Sequence, residues 1–265
     1  GGGTGLGRAI ARRYLQLGAR IAICGRRLAV LEETAAALRA EIPGADIAVY
    51  ACDIRDAAAV EAMLDTVFAE GVPDILVNNA AANFLAQTHR LSARALDAVL
   101  ATTLHGAAYC TMGVGRRWIE AGQPGVVLSI LTLSALQGAA FTVPSAMAKA
   151  GVLAMTQSLA VEWGRHGIRL VAIAPGTFPT EAAVARLRPG GLDHGDVPLN
   201  RAGKHEELTD LAAYLVSENA GYITGECVVI DGGRRYLGGA RAGVREMLGW
   251  DDAAWEKQRE KTPKK

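Results

Sequence analysis

The run Gly1-Gly2-Gly3-Thr4-Gly5-Leu6-Gly7 passes directly into Arg8-Ala9-Ile10-Ala11-Arg12-Arg13-Tyr14-Leu15, a stretch with helical spacing. A glycine-rich turn that opens a helix leaves backbone N–H groups unpaired beside the positive end of the helix dipole. Only hydrogen side chains let a pyrophosphate approach such a turn closely. Three adjacent glycines equally describe a flexible terminus, so the motif alone leaves both explanations open, and the later chain decides between them. A cradle of this kind follows a β-strand, typically ~5–6 residues long. None stands before Gly1, so the central strand of the sheet is expected to be missing from this sequence, and no amino-terminal targeting signal is readable.

Working outward, short apolar runs alternate with helical stretches. Strands are expected at Arg20–Cys24, Ile47–Cys52, Asp74–Asn78, Val126–Ile130, Ile168–Ala174 and Cys227–Asp231. Between them lie helices at Leu28–Ala40, at Asp56–Phe68 with Asp56 as its cap, from Leu91 to Ala121 with an interruption near Gly106, from Pro144 to Trp163, and from Glu206 to Val216. Continuous apolar strands alternating with amphipathic helices specify an α/β fold, a doubly wound parallel sheet of Rossmann type with helices on both faces. The 265 residues suit one domain, in which the irregular segment 177–200 is expected to be a substrate lid and 232–265 a carboxyl-terminal tail, helical from Asp251 and packed by Trp250 and Trp255.

Lys and Arg number 28 against 27 Asp and Glu, so net charge offers no argument for nucleic acid or an anionic membrane. No apolar run reaches the ~18 residues of a membrane span. Cys24, Cys52, Cys110 and Cys227 lack metal-ligand spacing and are expected to be free thiols of a cytoplasmic protein, with no metal site. Roughly 20 residues beyond the cradle, after the strand at Arg20–Cys24, where an acidic side chain would grip a free ribose hydroxyl, stands Gly25-Arg26-Arg27. A guanidinium there suits a 2′-phosphate, which makes NADPH the expected cofactor and Arg26 its selector.

These residues, together with Asp53, Asn78-Asn79-Ala80-Ala81, Lys149-Ala150-Gly151 and Pro175-Gly176, resemble a short-chain dehydrogenase/reductase over nearly the whole chain. Within that superfamily, the cradle, Asn79-Ala80-Ala81-Ala82-Asn83-Phe84, Pro144-Ser145-Ala146-Met147-Ala148-Lys149-Ala150-Gly151 and Val161-Glu162-Trp163-Gly164 are similar to the NADPH-dependent 2,4-dienoyl-CoA reductases. The resemblance implies that Gly1, Gly3, Thr4, Gly5, Leu6, Gly7, Arg26, Asp53, Asn79, Lys149, Pro175, Gly176, Thr177 and Phe178 hold the dinucleotide. It implies an acyl-CoA substrate met partly by Arg186 on the lid, a place in the oxidation of unsaturated fatty acids, and a homo-oligomer, usually a tetramer.

The resemblance also locates departures. Ser145 stands four residues before Lys149, where most of the superfamily has a tyrosine proton donor, as it does in the dienoyl-CoA reductases; this disfavours ordinary ketone reduction. The family's two donors to the thioester oxygen, an asparagine and a tyrosine, read here as His105 and Ser134, with Thr132 at the usual place of a catalytic serine. A neutral imidazole donates one hydrogen bond, whereas a serine hydroxyl reaches several ångströms less far than a phenol. The catalytic set expected is therefore His105, Thr132, Ser134, Ser145 and Lys149. Another enoyl or carbonyl substrate, and a nucleotide-binding pseudoenzyme, remain open at this stage.

Overall fold

The computed structural model describes residues 1–180, 184, 197–237 and 243–260. Six strands are found among them, β1 (Ile21–Gly25), β2 (Ile47–Ala51), β3 (Ile75–Asn78), β4 (Gly125–Ile130), β5 (Ile168–Pro175) and β6 (Cys227–Ile230). The principal helices are α1 (Gly5–Gln16), α2 (Leu28–Glu41), α3 (Ala57–Glu70), α4 (Ala93–Leu100), α5 (Gly106–Ala121), α6 (Ser134–Gln137), α7 (Val143–Trp163) and α8 (His205–Val216). All strand pairs are parallel, and the alternation of strand and helix follows the expected order.

Side-chain alternation along the strands divides the core into two layers. Leu128, Ile130, Val171 and Ile173 pack beneath Ile10 and Tyr14 of α1 and Leu208, Ala212 and Leu215 of α8. Val127 and Leu170 point the other way, against Val60 and Leu64 of α3, Val114 and Trp118 of α5, and Ala160 and Trp163 of α7. Helices thus cover both faces. Tyr14 fastens α1 to α8 by donating to the Ala212 carbonyl at 3.2 Å. Asp56 caps α3 as its position predicts, accepting from the Ala58 and Ala59 N–H groups at 2.9 and 3.2 Å.

The sheet is in two pieces, β1-β2 and β3-β4-β5-β6. Between β1 and β3 lies a cavity of about 620 Å³, lined by Ile21 and Ile23 on one side, Ile75 and Val77 on the other, Tyr14 above and Val114 below. Its effect on burial is direct: every residue of β3 is half-buried, whereas β5 is buried at all but one position. Gly1 closes the end of this slot. Its amino group donates to the Cys24 carbonyl at 2.5 Å, and its own carbonyl accepts from Asn79 Nδ2 at 3.0 Å.

The helical region after β3 departs from a plain helix. The turn Ala101–His105 is a π-helix joining α4 to α5 without a break, so the interruption expected near Gly106 is a widened turn just before it. The tail is helical from Asp252, and the Trp250 and Trp255 rings meet edge to face at 4.9 Å. The cysteines are free thiols, and burial pushes Cys52 and Cys110 up to about 11 and about 12. No helix among the described residues is long and apolar enough to cross a membrane, and no cluster among them could hold a metal ion.

Candidate active site

Parallel strands deliver their following residues to one side of a sheet, and the expected site residues collect there. Arg26 follows β1, Asp53 follows β2, Asn79 follows β3, Thr132 follows β4, and Gly176 follows Pro175 at the end of β5. The cradle joins the two sheet pieces at this side.

Thr4 sits at the start of α1 with an extended backbone and makes no side-chain cap, and the helix has no acidic residue in its first turn. Its leading N–H groups are therefore available to an anion. Gly7 is the closest approach: a Cβ there would lie 2.1 Å from the Gly1 carbonyl oxygen and 2.5 Å from Asn79 Nδ2. Gly3 is held by Thr34 of α2, whose buried hydroxyl donates to its carbonyl at 2.8 Å. Asn79 donates its amide to Gly1, so it shapes the cradle from within. At the far end Gly176 passes Asp231 so tightly that a Cβ would meet its Cα at 2.7 Å. This uncapped turn, floored by glycine, fits the diphosphate of a dinucleotide.

The adenosine end is charged and exposed. Arg26 and Arg27 are exposed, and their guanidinium groups make no hydrogen bond or ion pair with the described residues, while Asp53 is half-buried and paired with Arg55. The Arg55 side chain and its N–H hold the Asp53 carboxyl below the usual carboxylate range, and Arg26 adds a smaller pull in the same direction.

The other end is dry. Ser145 and Lys149 stand one turn apart on α7, with 3% and 4% of their surfaces exposed. The Lys149 ammonium donates to the Ile130 carbonyl at the end of β4. Burial brings its pKa down to about 8, so it still carries its charge at neutral pH. Two residues beyond Ile130, the Thr132 and Ser134 hydroxyls lie 2.5 Å apart, joined by one hydrogen bond. Ser134 begins the single turn α6.

The π-turn separates two residues that stand two apart in the sequence. Thr103 is fully buried, and its hydroxyl accepts from the Ala82 N–H at 3.0 Å, pinning the loop after β3. His105 is exposed, its ring tilted 40° to the Tyr109 ring at 6.1 Å, and its imidazole forms no hydrogen bond with the described residues. Phe178 buries its ring in the layer under α8, leaving its backbone as the part able to face the cleft. Thr177 accepts from Arg234 Nη1 at 3.2 Å. Arg186 and most of the expected lid lie outside the described residues. Thr34, Thr103 and Arg55 were not singled out by sequence reasoning; a threonine facing into a helix contact carries no signature of its own, and Arg55 was readable only through its spacing from Asp53.

Residues 1–235 match a family model described as enoyl-(acyl carrier protein) reductase. The chain belongs to the short-chain dehydrogenase/reductase superfamily. An uncharacterized oxidoreductase of Caenorhabditis elegans is 44% identical over 264 residues, spanning 97% of this chain and 84% of that protein. A probable (2E)-enoyl-CoA-producing 2,4-dienoyl-CoA reductase of Bacillus subtilis is 39% identical, spanning 88% of this chain and 94% of that protein. A solved short-chain dehydrogenase from Bacillus anthracis superposes with a TM-score of 0.79 at 38% identity, covering 88% of this chain and 93% of its own. The chain is therefore an oxidoreductase of the family that uses nicotinamide cofactors, and its near relatives include proteins named as dienoyl-CoA reductases.

Proposed function

We propose that this short-chain dehydrogenase/reductase is an NADPH-dependent reductase of 2,4-dienoyl-CoA, acting in the oxidation of unsaturated fatty acids. The observation that carries the proposal is Ser145, buried one turn ahead of Lys149. Reduction of a ketone requires a group acidic enough to protonate the carbonyl oxygen, and an aliphatic hydroxyl is far weaker than a phenol in that role. Reduction of a conjugated thioester has no such requirement, because the developing charge needs only to be held by hydrogen bonds at oxygen while carbon is protonated by water. Relatives named as probable dienoyl-CoA reductases, at 36–39% identity, support the same substrate.

When bound, NADPH supplies the hydride that adds to the far end of the conjugated system. The glycine cradle from Gly1 to Gly7 holds the diphosphate, Arg26 the 2′-phosphate, and Pro175 to Phe178 the nicotinamide end by their backbone. Lys149 donates to the ribose and sets a positive charge under the site. The His105 imidazole and the Thr132–Ser134 hydroxyl pair donate toward the thioester oxygen, the pair through water because both side chains are short. Segment 177–200 serves as the lid that carries Arg186 to the CoA phosphates, and the chain works as a cytoplasmic homo-oligomer.

The test is consumption of NADPH with a 2,4-dienoyl-CoA and with simple ketones, followed by absorbance. Oxidation with the dienoyl-CoA alone is expected. Turnover of ketones without turnover of dienoyl-CoA would transfer the site to carbonyl chemistry, and tight nucleotide binding with neither would leave a pseudoenzyme.

A further inference from the structure

With NADPH as the cofactor Arg26 has a 2′-phosphate to hold, and the role assigned here to its neighbours rests on that reading. Beside this position stands a carboxylate of the wrong sign. The Cys52 N–H donates to the Gly25 carbonyl at 3.0 Å, so Arg26 and Asp53 leave β1 and β2 from neighbouring points. Asp53 is itself fully engaged by the residue two places on. Arg55 Nε lies 2.9 and 3.0 Å from its two carboxylate oxygens, Arg55 Nη2 lies 2.5 Å from one of them, and the Arg55 backbone N–H lies 3.1 Å from the other. Such a two-pronged pair, closed over two residues and tied by the backbone, fixes orientation as well as charge. Neither partner is fully in solvent, the side chains being 41% and 33% exposed, so the carboxylate's field is only partly screened.

We propose that Arg55 is a positioning residue for cofactor selectivity: by occupying the Asp53 carboxylate it leaves Arg26 free for the 2′-phosphate and favours NADPH over NADH. Without Arg55, Asp53 would turn to Arg26, the cation already near enough to act on it. The phosphate would then lose its partner to the carboxylate and compete with it for the one guanidinium.

The experiment is calorimetric titration of the full chain with 2′,5′-ADP and with 5′-ADP, whose ratio isolates the 2′-phosphate from contacts to adenine. Arg55→Ala should lower 2′,5′-ADP affinity roughly fivefold, the scale of one charge acting on a phosphate across several ångströms of partly screened space, and leave 5′-ADP within about twofold. Adding Asp53→Asn should restore the ratio, an outcome that a merely structural role for Arg55 does not produce. Asp53→Asn alone, which needs no stable Arg55→Ala protein, should keep the ratio at or above that of the parent. A parent that prefers 2′,5′-ADP, combined with an unchanged ratio in Arg55→Ala, an equal loss of both ligands, or a fallen ratio in Asp53→Asn, would overturn this inference and leave the cofactor reading intact. A parent with no preference for 2′,5′-ADP would overturn both.

Discussion

The strands β3 to β6 and the pair β1-β2 end at the same cleft, but they furnish it in opposite ways. The four-stranded piece ends against buried groups of α7, the Lys149 ammonium on the Ile130 carbonyl and Ser145 one helical turn away. The two-stranded piece ends in long charged side chains at the surface, Arg26, Arg27, Arg55 and the paired Asp53. One topological device, the carboxyl end of a parallel strand, therefore yields a dry end where charge acts strongly and a wet end where it discriminates.

The sharpest break of this comparison is at Lys149. Lys149→Met should cut turnover by ~10²–10³, the usual loss for one charged or donor group in a water-excluded site, while nucleotide binding falls much less. The same substitution should raise the melting temperature at pH 7, because it removes a buried charge whose pKa is depressed to about 8 by desolvation. The linkage sign follows from that depression. Between about pH 8 and the unfolded lysine value near 10.4 the unfolded chain binds more protons, so the parent gains stability with rising pH and the advantage of the Lys149→Met variant should shrink. Turnover in the parent should fall through the same range as Lys149 loses its charge. A pH-independent gap in melting temperature would show that Lys149 is not buried as a cation.

The slot offers the next largest effect. A five-residue apolar strand fused ahead of Gly1 has unpaired backbone on both β1 and β3 to meet, together with the side chains of Ile21, Ile23, Ile75 and Val77. Burial worth about 1.5–3 kcal/mol per large side chain exceeds an ordering cost of about 1–2 kcal/mol per residue by a few kcal/mol in sum. For a chain of this size that is a rise of roughly 5–10 °C in melting temperature. Calorimetry of extended and parent chains decides it. A polar strand of the same length that stabilises equally would show that the slot does not act as an apolar strand site.

At the wet end, Arg26→Ala should weaken NADPH about tenfold, the scale of a charge-assisted hydrogen bond, and leave NADH nearly unchanged. Equal losses for both cofactors in fluorescence titrations would make Arg26 a general surface charge and erase the contrast between the two ends.

Much of this arrangement was legible in the sequence because a buried parallel strand reads as an uninterrupted apolar run. Val126–Ile130 and Ile168–Ala174 were found within one residue of β4 and β5 at each end. Asp56 was readable as a cap because its chemistry is local. The π-turn was legible only as an interruption near Gly106, since its form is set by tertiary contact: a Cβ at Gly106 would collide with Ile54 Cδ1 at 2.6 Å, on a different element of the fold. The same reason hid Thr34 and Thr103, whose partners Gly3 and Ala82 lie 31 and 21 residues away. The family resemblance singled out His105; the widened turn then sets the burial of its neighbours, with Thr103 in the core and the His105 imidazole exposed.

The smallest expected effect tests the dry end most finely. Ser134 engages its hydroxyl with Thr132, 2.5 Å away, and neither side chain extends far from the strand end. A tyrosine at this place would carry its oxygen several ångströms further, toward where a thioester oxygen must sit if hydride is to reach the far end of the diene. Room for the ring exists on the outer side of α6, because Leu136 is 45% exposed and Gln137 is exposed as well. Ser134→Tyr should therefore raise dienoyl-CoA turnover a few-fold with little change in KM, since a donor that strengthens only as charge develops acts on kcat. Ser134→Ala separates the two functions of the hydroxyl: a loss of about twofold to fivefold fits a water-bridged donor, weaker than the ~10²–10³ of a direct one. Should Ser134→Tyr fold correctly and lose dienoyl-CoA turnover while gaining ketone turnover, the proton donor belongs at this position, the substrate is a carbonyl, and the serine before Lys149 has been given the wrong meaning.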